Sequence, residues 1–223
     1  MTVKRPIHIG GVIQNAVVFN LKHWTHPMRV DSLPQSVERL FSLLHERKIE
    51  YVLVGGIALL NYIEGRNTED IDLIMGLDDL MRLPEIQIEQ SDLDFARAHF
   101  EGLQVDILLT RNSLFAEIRR HYSTVQTFLE RKIPVATVEG LLLLKLYALP
   151  SLYRQGKFTA VGIYENDVAT LLFYHRHDTS ALLKILSRHL SDTDVNALRD
   201  ILQEIQQRHE RLRKGVSEEP GAM

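Results

Sequence analysis

The chain has 223 residues, of which 45% are hydrophobic and 25% charged, so it is long enough for one large domain or two small ones. The absence of cysteine excludes a disulfide framework and a thiolate metal site, and it fits a cytoplasmic protein. A net charge of −3 means that any nucleic-acid partner has to bind a local basic patch.

We expect neither a signal peptide nor a membrane-spanning segment. The first residues are not followed by an apolar stretch, and the longest apolar run, residues 141–144, is far too short to cross a bilayer. The mixed apolar stretch from Val12 to Leu21 is compatible with a strand or a short hairpin. His23 and His26 have no further metal ligand nearby in the sequence, and we interpret them as packing or surface residues. Residues 1–30 are therefore treated as an N-terminal extension of unclear structure.

A helix is predicted from residue 33 to residue 48, with Ser32 as its cap and Pro34 in its first turn. Its apolar residues recur at helical spacing and predict one buried face: Val37, Leu40, Phe41 and Leu44. A strand over residues 50–54 follows. After it come a glycine pair, Gly55-Gly56, and a short helix that ends at Gly65.

The next predicted strand, residues 70–75, places Asp70 and Asp72 on the same face, because side chains alternate along a strand. Two carboxylates so close together repel each other. A hard divalent cation such as Mg²⁺ relieves this repulsion and prefers oxygen ligands. The glycine pair, which thirteen intervening residues separate from Asp70, lets backbone N–H groups approach a phosphate. Either pattern alone is usually a strand end or a bend, but together they indicate metal-assisted chemistry on a nucleotide.

A third carboxylate lies on a later strand. Residues 85–89 are predicted to form a strand, and residues 95–100 and 103–109 form a hairpin around Glu101-Gly102. In its second arm the odd-numbered apolar residues share one face, and Asp106 lies on the other. A buried strand rarely carries an aspartate without a partner, so Asp106 is a further candidate ligand. The alternative is an aspartate on the solvent face of an edge strand.

The rest of the chain becomes helical. Residues 113–123 are predicted to form a helix, and two strands are expected around Arg131-Lys132, at 125–130 and 133–136. A helix capped by Thr137 is expected to stop near Leu149, because Pro150 interferes with its continuation. Further helical patterns cover residues 164–175, 179–190 and 192–213, the last capped by Ser191. The sequence thus predicts an α+β fold, with a mixed sheet and flanking helices over residues 31–136, a helical domain over 137–215 and a tail over 216–223.

Lys145 interrupts a leucine-rich helix that is expected to be largely buried. A buried ammonium group is costly unless an anion pairs with it. A triphosphate between the two halves of the chain is one such anion, and snorkelling of the side chain to water is the alternative. Asp167 lies in the next helical pattern, where the helix dipole alone also favours an acid.

The spacing Gly55-Gly56 to Asp70-Ile71-Asp72 resembles the signature of the DNA polymerase β-like nucleotidyltransferase superfamily. Asp106 is similar to its third carboxylate, and residues 66–69, Arg-Asn-Thr-Glu, resemble the Arg-x-Thr-x segment of the minimal bacterial members.

The helical half of the chain makes this resemblance more specific. Lys145 and Asp167 are similar to a lysine and a later aspartate of the AbiEii-like toxin nucleotidyltransferases, including the mycobacterial MenT proteins. The resemblance covers roughly residues 37–175, and Gly56 stands where toxin members commonly have serine.

The resemblance implies a nucleotidyltransferase fold with a C-terminal helical domain. It also implies transfer of a nucleoside monophosphate from an NTP to an acceptor hydroxyl, with release of pyrophosphate. Two Mg²⁺ ions would be held by Asp70, Asp72 and Asp106. The implied nucleotide-binding residues are Gly55, Gly56, Arg66, Thr68 and Lys145. Lys145 and Asp167 would complete the catalytic set. The implied acceptor is the 3′ end of tRNA, and the implied protein partner is a cognate antitoxin.

Two alternatives stay open, a small-molecule (antibiotic) nucleotidyltransferase and a non-catalytic module that binds a nucleotide or a partner protein. An RNA acceptor requires basic surface. The candidate basic residues are Arg111, Arg119, Arg120, Arg131 and Lys132 in the first half, and Arg208, Arg211, Arg213 and Lys214 near the C-terminus. Aromatic residues are only 7% and do not interleave with these charges, so the sequence predicts no stacking platform.

Overall fold

The computed structural model describes residues 9, 11–13, 33–64, 68–128 and 131–217, without the side chains of residues 214–217. The chain divides into two compact units, Met1–Leu141 and Leu142–Met223. Ile9 and residues 11–13 are helical, and Ile9 and Ile13 are buried. Their spacing of four residues places both on one helix face, so the expectation of a strand starting at Val12 is wrong there. The rest of that stretch, with His23 and His26, lies outside the described residues.

A seven-stranded mixed sheet forms the centre of the first unit, in the order β3-β4-β5-β2-β1-β7-β6. The strands are β1 (Tyr51–Val54), β2 (Asp70–Met75), β3 (Gln87–Ser91), β4 (Phe95–Phe100), β5 (Leu103–Leu109), β6 (Ser123–Phe128) and β7 (Arg131–Ala136). The pairs β2–β5 and β1–β7 are parallel, and the other neighbours are antiparallel. The predicted mixed sheet is confirmed.

After the helical residues near the N-terminus, the helices of this unit are α1 (Leu33–Glu46), α2 (Gly55–Leu59), α3 (Leu77–Met81) and α4 (Ser113–His121). The four apolar residues predicted for one face of α1 are all buried. Its predicted cap, Ser32, lies outside the described residues. Helix α3 was not predicted. Helix α4 is capped by Asn112, whose side-chain oxygen accepts a hydrogen bond from the Leu114 N–H at 3.0 Å.

The apolar faces of β2 and β5 fix the register of the central strands. Ile71, Leu73, Val105 and Ile107 are each 0% exposed, and full burial of such a side chain stabilises the fold by about 1.5–3 kcal/mol. A slip of one residue would exchange the two faces of a strand and expose these side chains. Burial of one face therefore determines where the aspartates of the other face lie.

The second unit is helical. Helix α5 (Val138–Arg154) begins in the first unit and is followed by α6 (Phe158–Tyr174), α7 (Thr179–Leu186) and α8 (Asp192–Ser217). The prediction that α5 stops near Leu149 is wrong, because the helix continues past Pro150. The proline removes one N–H donor, but Leu142, Leu146 and Leu149 keep the helix face buried. The predicted cap of α8 is confirmed, since the Ser191 hydroxyl accepts a hydrogen bond from the Asp194 N–H at 3.2 Å.

Further boundaries differ from the prediction: β3 covers Gln87–Ser91 where residues 85–89 were predicted, and α7 ends at Leu186 where residue 190 was predicted. Arg131 and Lys132 belong to strand β7 and pair with Phe128 and Thr127, so they are not the turn between the two strands. Helix α6 starts at Phe158, six residues before the predicted start, with Lys157 as its N-cap and with Gly156, whose φ is +65°, just before that cap. The predicted fold class, a mixed sheet with flanking helices followed by helices, is confirmed. Within the described part of the chain, no helix combines the length and the apolar character that a membrane crossing requires.

Candidate active site

Three carboxylates converge at the centre of the sheet. Asp70 and Asp72 lie on the same face of β2, and the parallel register pairs Asp72 with Asp106 on β5. One oxygen from each of the three side chains lies within 4.8 Å of the other two. Asp106 is only 6% exposed, and the other two aspartates are half-buried. No other group of three potential metal ligands converges among the residues that the structure describes.

The donor set fits a hard divalent cation. Carboxylate oxygens are the ligands that Mg²⁺ and Mn²⁺ prefer, and the positive charge of an ion would relieve the repulsion between the three acids. The arrangement that the alternation of β2 and β5 predicted is therefore present, although the assignment of these residues as metal ligands remains a prediction.

Gly55 packs directly against the carboxylate of Asp72. Its φ is +65°, a left-handed conformation that favours glycine. A Cβ atom at this position would lie 1.7 Å from Asp72 Oδ2 and 2.3 Å from its Cγ. Both the backbone conformation and the close approach therefore require glycine at the junction of β1 and α2.

Gly56 is similarly close to Thr68. A Cβ atom on Gly56 would lie 2.5 Å from Thr68 Oγ1 and 2.6 Å from its Cβ. The same hydroxyl donates a hydrogen bond of 2.7 Å to Asp70 Oδ1, and Thr68 is only 8% exposed. The space for a side chain at position 56 is thus filled by a threonine that orients a candidate metal ligand. This gives a steric reason for the glycine that stands where toxin members commonly have serine.

Arg97 is the residue at this site that the sequence reasoning missed. It lies opposite Asp106 in the antiparallel β4–β5 pair. Its Nε donates to Asp106 Oδ1 at 2.9 Å and its Nη2 to Oδ2 at 2.8 Å, and Gln104 Nε2 donates to Oδ1 at 3.3 Å. The hydrogen bonds to Asp106 raise the pKa of the Arg97 guanidinium, and the charges of Asp106 and Asp70 add to this effect. Arg97 is therefore a fixed positive charge beside the three carboxylates.

Lys145 and Asp167 form a buried ion pair within the second unit. Lys145 Nζ lies 3.0 Å from Asp167 Oδ2, and the two side chains are 7% and 1% exposed. The ammonium group also lies over the ring of Tyr164, 3.8 Å from its centroid. Asp167 thus supplies the anion that the burial of Lys145 requires. The role of either residue in nucleotide binding remains a prediction.

The other residues implied by the resemblance are less well defined. Arg66 lies outside the described residues. Among the basic residues of the first half, Arg119 pairs with Glu50 at 3.2 Å and Arg131 with Glu38 at 3.9 Å. These two arginines are therefore partly neutralised.

Aromatic and basic side chains meet in the second unit. Phe173 packs edge-on against Tyr174 and His209, with centroid distances of 5.4 and 5.2 Å. The Arg213 guanidinium lies 5.5 Å from the centroid of Phe173. Burial lowers the pKa of His209, and the nearby charges of Arg213 and Arg208 lower it further. Aromatic and basic side chains that are distant in sequence are therefore in contact between helices α6 and α8.

No protein-family model and no curated protein sequence matches this chain. Among solved structures, it is similar to an antigenic nucleotidyltransferase-like protein from Paracoccidioides brasiliensis, with 16% identity and a TM-score of 0.46 over 78% of this chain and 94% of that one. It is also similar to the antibiotic-resistance factor ANT(2'')-Ia, with 12% identity and a TM-score of 0.48 over 81% of this chain and 96% of that one. For the complex of ANT(2'')-Ia with adenylyl-2''-tobramycin, the identity is 14% and the TM-score 0.44, over 78% and 96%. These neighbours are nucleotidyltransferase-like proteins. At such low identities and TM-scores, the functional interpretation rests on the residues of this chain.

Proposed function

We propose that this protein is a metal-dependent nucleotidyltransferase that transfers a nucleoside monophosphate from an NTP to an acceptor hydroxyl and releases pyrophosphate. The observation that carries the proposal is the convergence of Asp70, Asp72 and Asp106 on one face of the sheet, with oxygens within 4.8 Å of one another. Gly55 lies beside this site, and the carboxylate of Asp72 occupies the space that a side chain at position 55 would need.

In this proposal the three aspartates hold two Mg²⁺ ions. When bound, such ions stabilise the entering and leaving oxygens of an in-line displacement at phosphorus. The proposed role of Gly55 and Gly56 is to offer their backbone N–H groups to a phosphate. Thr68 keeps Asp70 in place through its hydroxyl group.

Lys145, Arg66 and Asp167 have further proposed roles. Lys145 and Arg66 offset the negative charge of the triphosphate, and Asp167 orients the buried Lys145 side chain through their ion pair. The Lys145–Asp167 pair supports a structural role just as well. Both the nucleotide affinity and the free energy of unfolding therefore have to be measured for a variant with Lys145 substituted.

An RNA end, in particular the 3′ end of tRNA, is the acceptor that we propose, with this chain acting as the toxin of a toxin–antitoxin pair. The cluster of Phe173, Tyr174, His209 and Arg213 supports an RNA acceptor, because single-stranded nucleic acid binds through aromatic stacking together with basic charge. Tyr174 is 68% exposed, so its ring is accessible to a base. The proposed toxin role rests on the resemblance of the motifs.

Incubation with each radiolabelled NTP, total RNA and Mg²⁺ tests the reaction. The wild type should label RNA, and Asp72→Asn should lower the labelling at least a hundredfold, because it removes one candidate ligand charge without changing the side-chain volume. Asp78→Asn is the matched control, since Asp78 is an exposed aspartate of the same unit on helix α3. Unchanged labelling by Asp72→Asn would rule out the proposed metal site.

Parallel reactions separate the alternatives. Labelling of a panel of aminoglycosides in place of RNA favours a small-molecule enzyme. Calorimetry with each NTP, with and without Mg²⁺, tests the non-catalytic module, for which we expect nucleotide binding that does not depend on the metal. Co-expression with a neighbouring reading frame that relieves growth arrest would support a cognate antitoxin.

A further inference from the structure

The two carboxylate oxygens of Asp106 accept different numbers of hydrogen bonds. Oδ1 accepts from Arg97 Nε at 2.9 Å and from Gln104 Nε2 at 3.3 Å, whereas Oδ2 accepts from Arg97 Nη2 alone at 2.8 Å, among the contacts of the described residues. A carboxylate oxygen has two lone-pair directions. Two donors therefore occupy Oδ1, and one lone-pair direction of Oδ2 remains for a further partner.

The two bonds from Arg97 also fix the plane of the Asp106 carboxylate. A guanidinium that donates two parallel hydrogen bonds restricts both the position and the rotation of its partner. Arg97 and Asp106 are direct partners across the β4–β5 pair, so the sheet itself sets the distance between them. The Asp106 side chain is 8% exposed, and water has little access to compete for its oxygens.

We propose that Arg97 is a positioning residue for the metal site, and that it makes Asp106 bind an ion through Oδ2 alone. This inference rests on the proposed function, because it requires that the three carboxylates bind a divalent cation. It adds a specific consequence: Asp106 is a one-oxygen ligand whose orientation depends on the two-pronged shape of the guanidinium group, in addition to its charge.

Shape and charge are separated by Arg97→Lys, which keeps the positive charge but cannot form the paired bonds. Loss of a residue that orients a metal ligand typically lowers metal affinity by about 10- to 100-fold. We therefore expect Arg97→Lys to bind Mn²⁺ about 10- to 100-fold more weakly than the wild type in isothermal titration calorimetry. Gln104→Met, which removes only the longer bond to Oδ1, should weaken binding by about two- to fivefold, a smaller loss than the range for an orienting partner.

Arg47→Lys is the matched control. Arg47 forms the same kind of two-pronged pair with Glu85 in the same unit, through Nη1 and Nη2, but Glu85 does not belong to the carboxylate cluster. Its Mn²⁺ affinity should equal that of the wild type within twofold. Thermal unfolding of every variant identifies losses of affinity that come from loss of the fold. Arg97→Gln, which also cannot form the paired bonds, provides the test in case Arg97→Lys does not fold, and it too should bind Mn²⁺ more weakly than the wild type.

The outcomes distinguish this inference from the proposed function. If the wild type binds Mn²⁺ and folded Arg97→Lys binds it equally well, Arg97 has no positioning role and the metal site stands without it. If Arg97→Lys matches the wild type while Arg97→Gln binds more tightly, Arg97 acts only as a repelling charge and the inference is wrong. If the wild type itself does not bind Mn²⁺, both the inference and the proposed metal site are overturned.

Discussion

Replacement of Gly55 by alanine is expected to damage the candidate metal site more than the fold. The new Cβ atom would lie 1.7 Å from Asp72 Oδ2, whereas real Cβ atoms essentially never lie within 3.0 Å of such a neighbour. The carboxylate therefore has to move by more than an ångström. Metal–ligand distances vary by only about 0.2 Å, so a displacement of this size removes Asp72 as a ligand.

The cost to stability has two parts. A φ of +65° costs an alanine about 1–2 kcal/mol relative to glycine. Relief of the steric overlap with Asp72 adds about 1–3 kcal/mol, the usual range for overpacking. We expect Gly55→Ala to lose about 2–5 kcal/mol in urea unfolding and to bind Mn²⁺ at least tenfold more weakly in calorimetry.

Gly156→Ala separates these two parts. Gly156 has the same φ of +65°, but a Cβ atom there would meet only Phe158 Cε2, at an ordinary distance of 3.9 Å. This control should lose about 1–2 kcal/mol from the backbone alone and keep the Mn²⁺ affinity of the wild type. If Gly55→Ala matches Gly156→Ala in both stability and Mn²⁺ affinity, the proposed steric coupling between Gly55 and Asp72 is wrong.

Three further predictions concern other parts of the molecule. Gly56→Ser should lower the thermal unfolding temperature, because its Cβ would lie 2.5 Å from Thr68 Oγ1, and adding Thr68→Gly should recover much of the loss. Lys145→Met removes the ion-pair partner of the buried Asp167 carboxylate and should cost about 3–5 kcal/mol in urea unfolding, whereas Lys145→Met combined with Asp167→Leu should restore most of it. Burial raises the pKa of Tyr51 from 10.0 to about 12, because the folded state disfavours the charged form of its phenol group. Stability should therefore fall as the pH rises from 10 towards 12, and Tyr51→Phe should lose less stability between pH 9 and pH 11 in urea unfolding.

The sequence predicted the carboxylate strands because their pattern is local. The bounds of β2, β4 and β5 agree with the predicted ones. Alternation along each strand separates an apolar face from a polar one, and burial of the apolar face leaves Asp70, Asp72 and Asp106 on the same side. The sequence did not predict that β2 and β5 are adjacent strands, and the structure supplies this.

The partner of Lys145 shows where local patterns fail. Its burial was expected, but the anion that the sequence suggested was a triphosphate. The structure adds Asp167, from the next helix of the chain, as an ion-pair partner that the sequence reasoning did not assign. Which faces of α5 and α6 meet depends on tertiary packing, and helical periodicity gives no direct measure of it. The contact between Phe173 and Arg213 was missed for the same reason, because α6 and α8 are distant in sequence.

Arg97 differs from these two cases, because a local argument was sufficient to find it. The hairpin around Glu101-Gly102 was predicted with its two arms, and a two-residue connection pairs Phe100 with Leu103. Antiparallel pairing then continues outward residue by residue, which places Arg97 opposite Asp106 on the same face of the sheet. An arginine directly across from a buried aspartate is the expected partner of its charge. Extending the predicted register along both strands, in addition to reading each strand by itself, therefore identifies the contact on which the orientation of the third carboxylate depends.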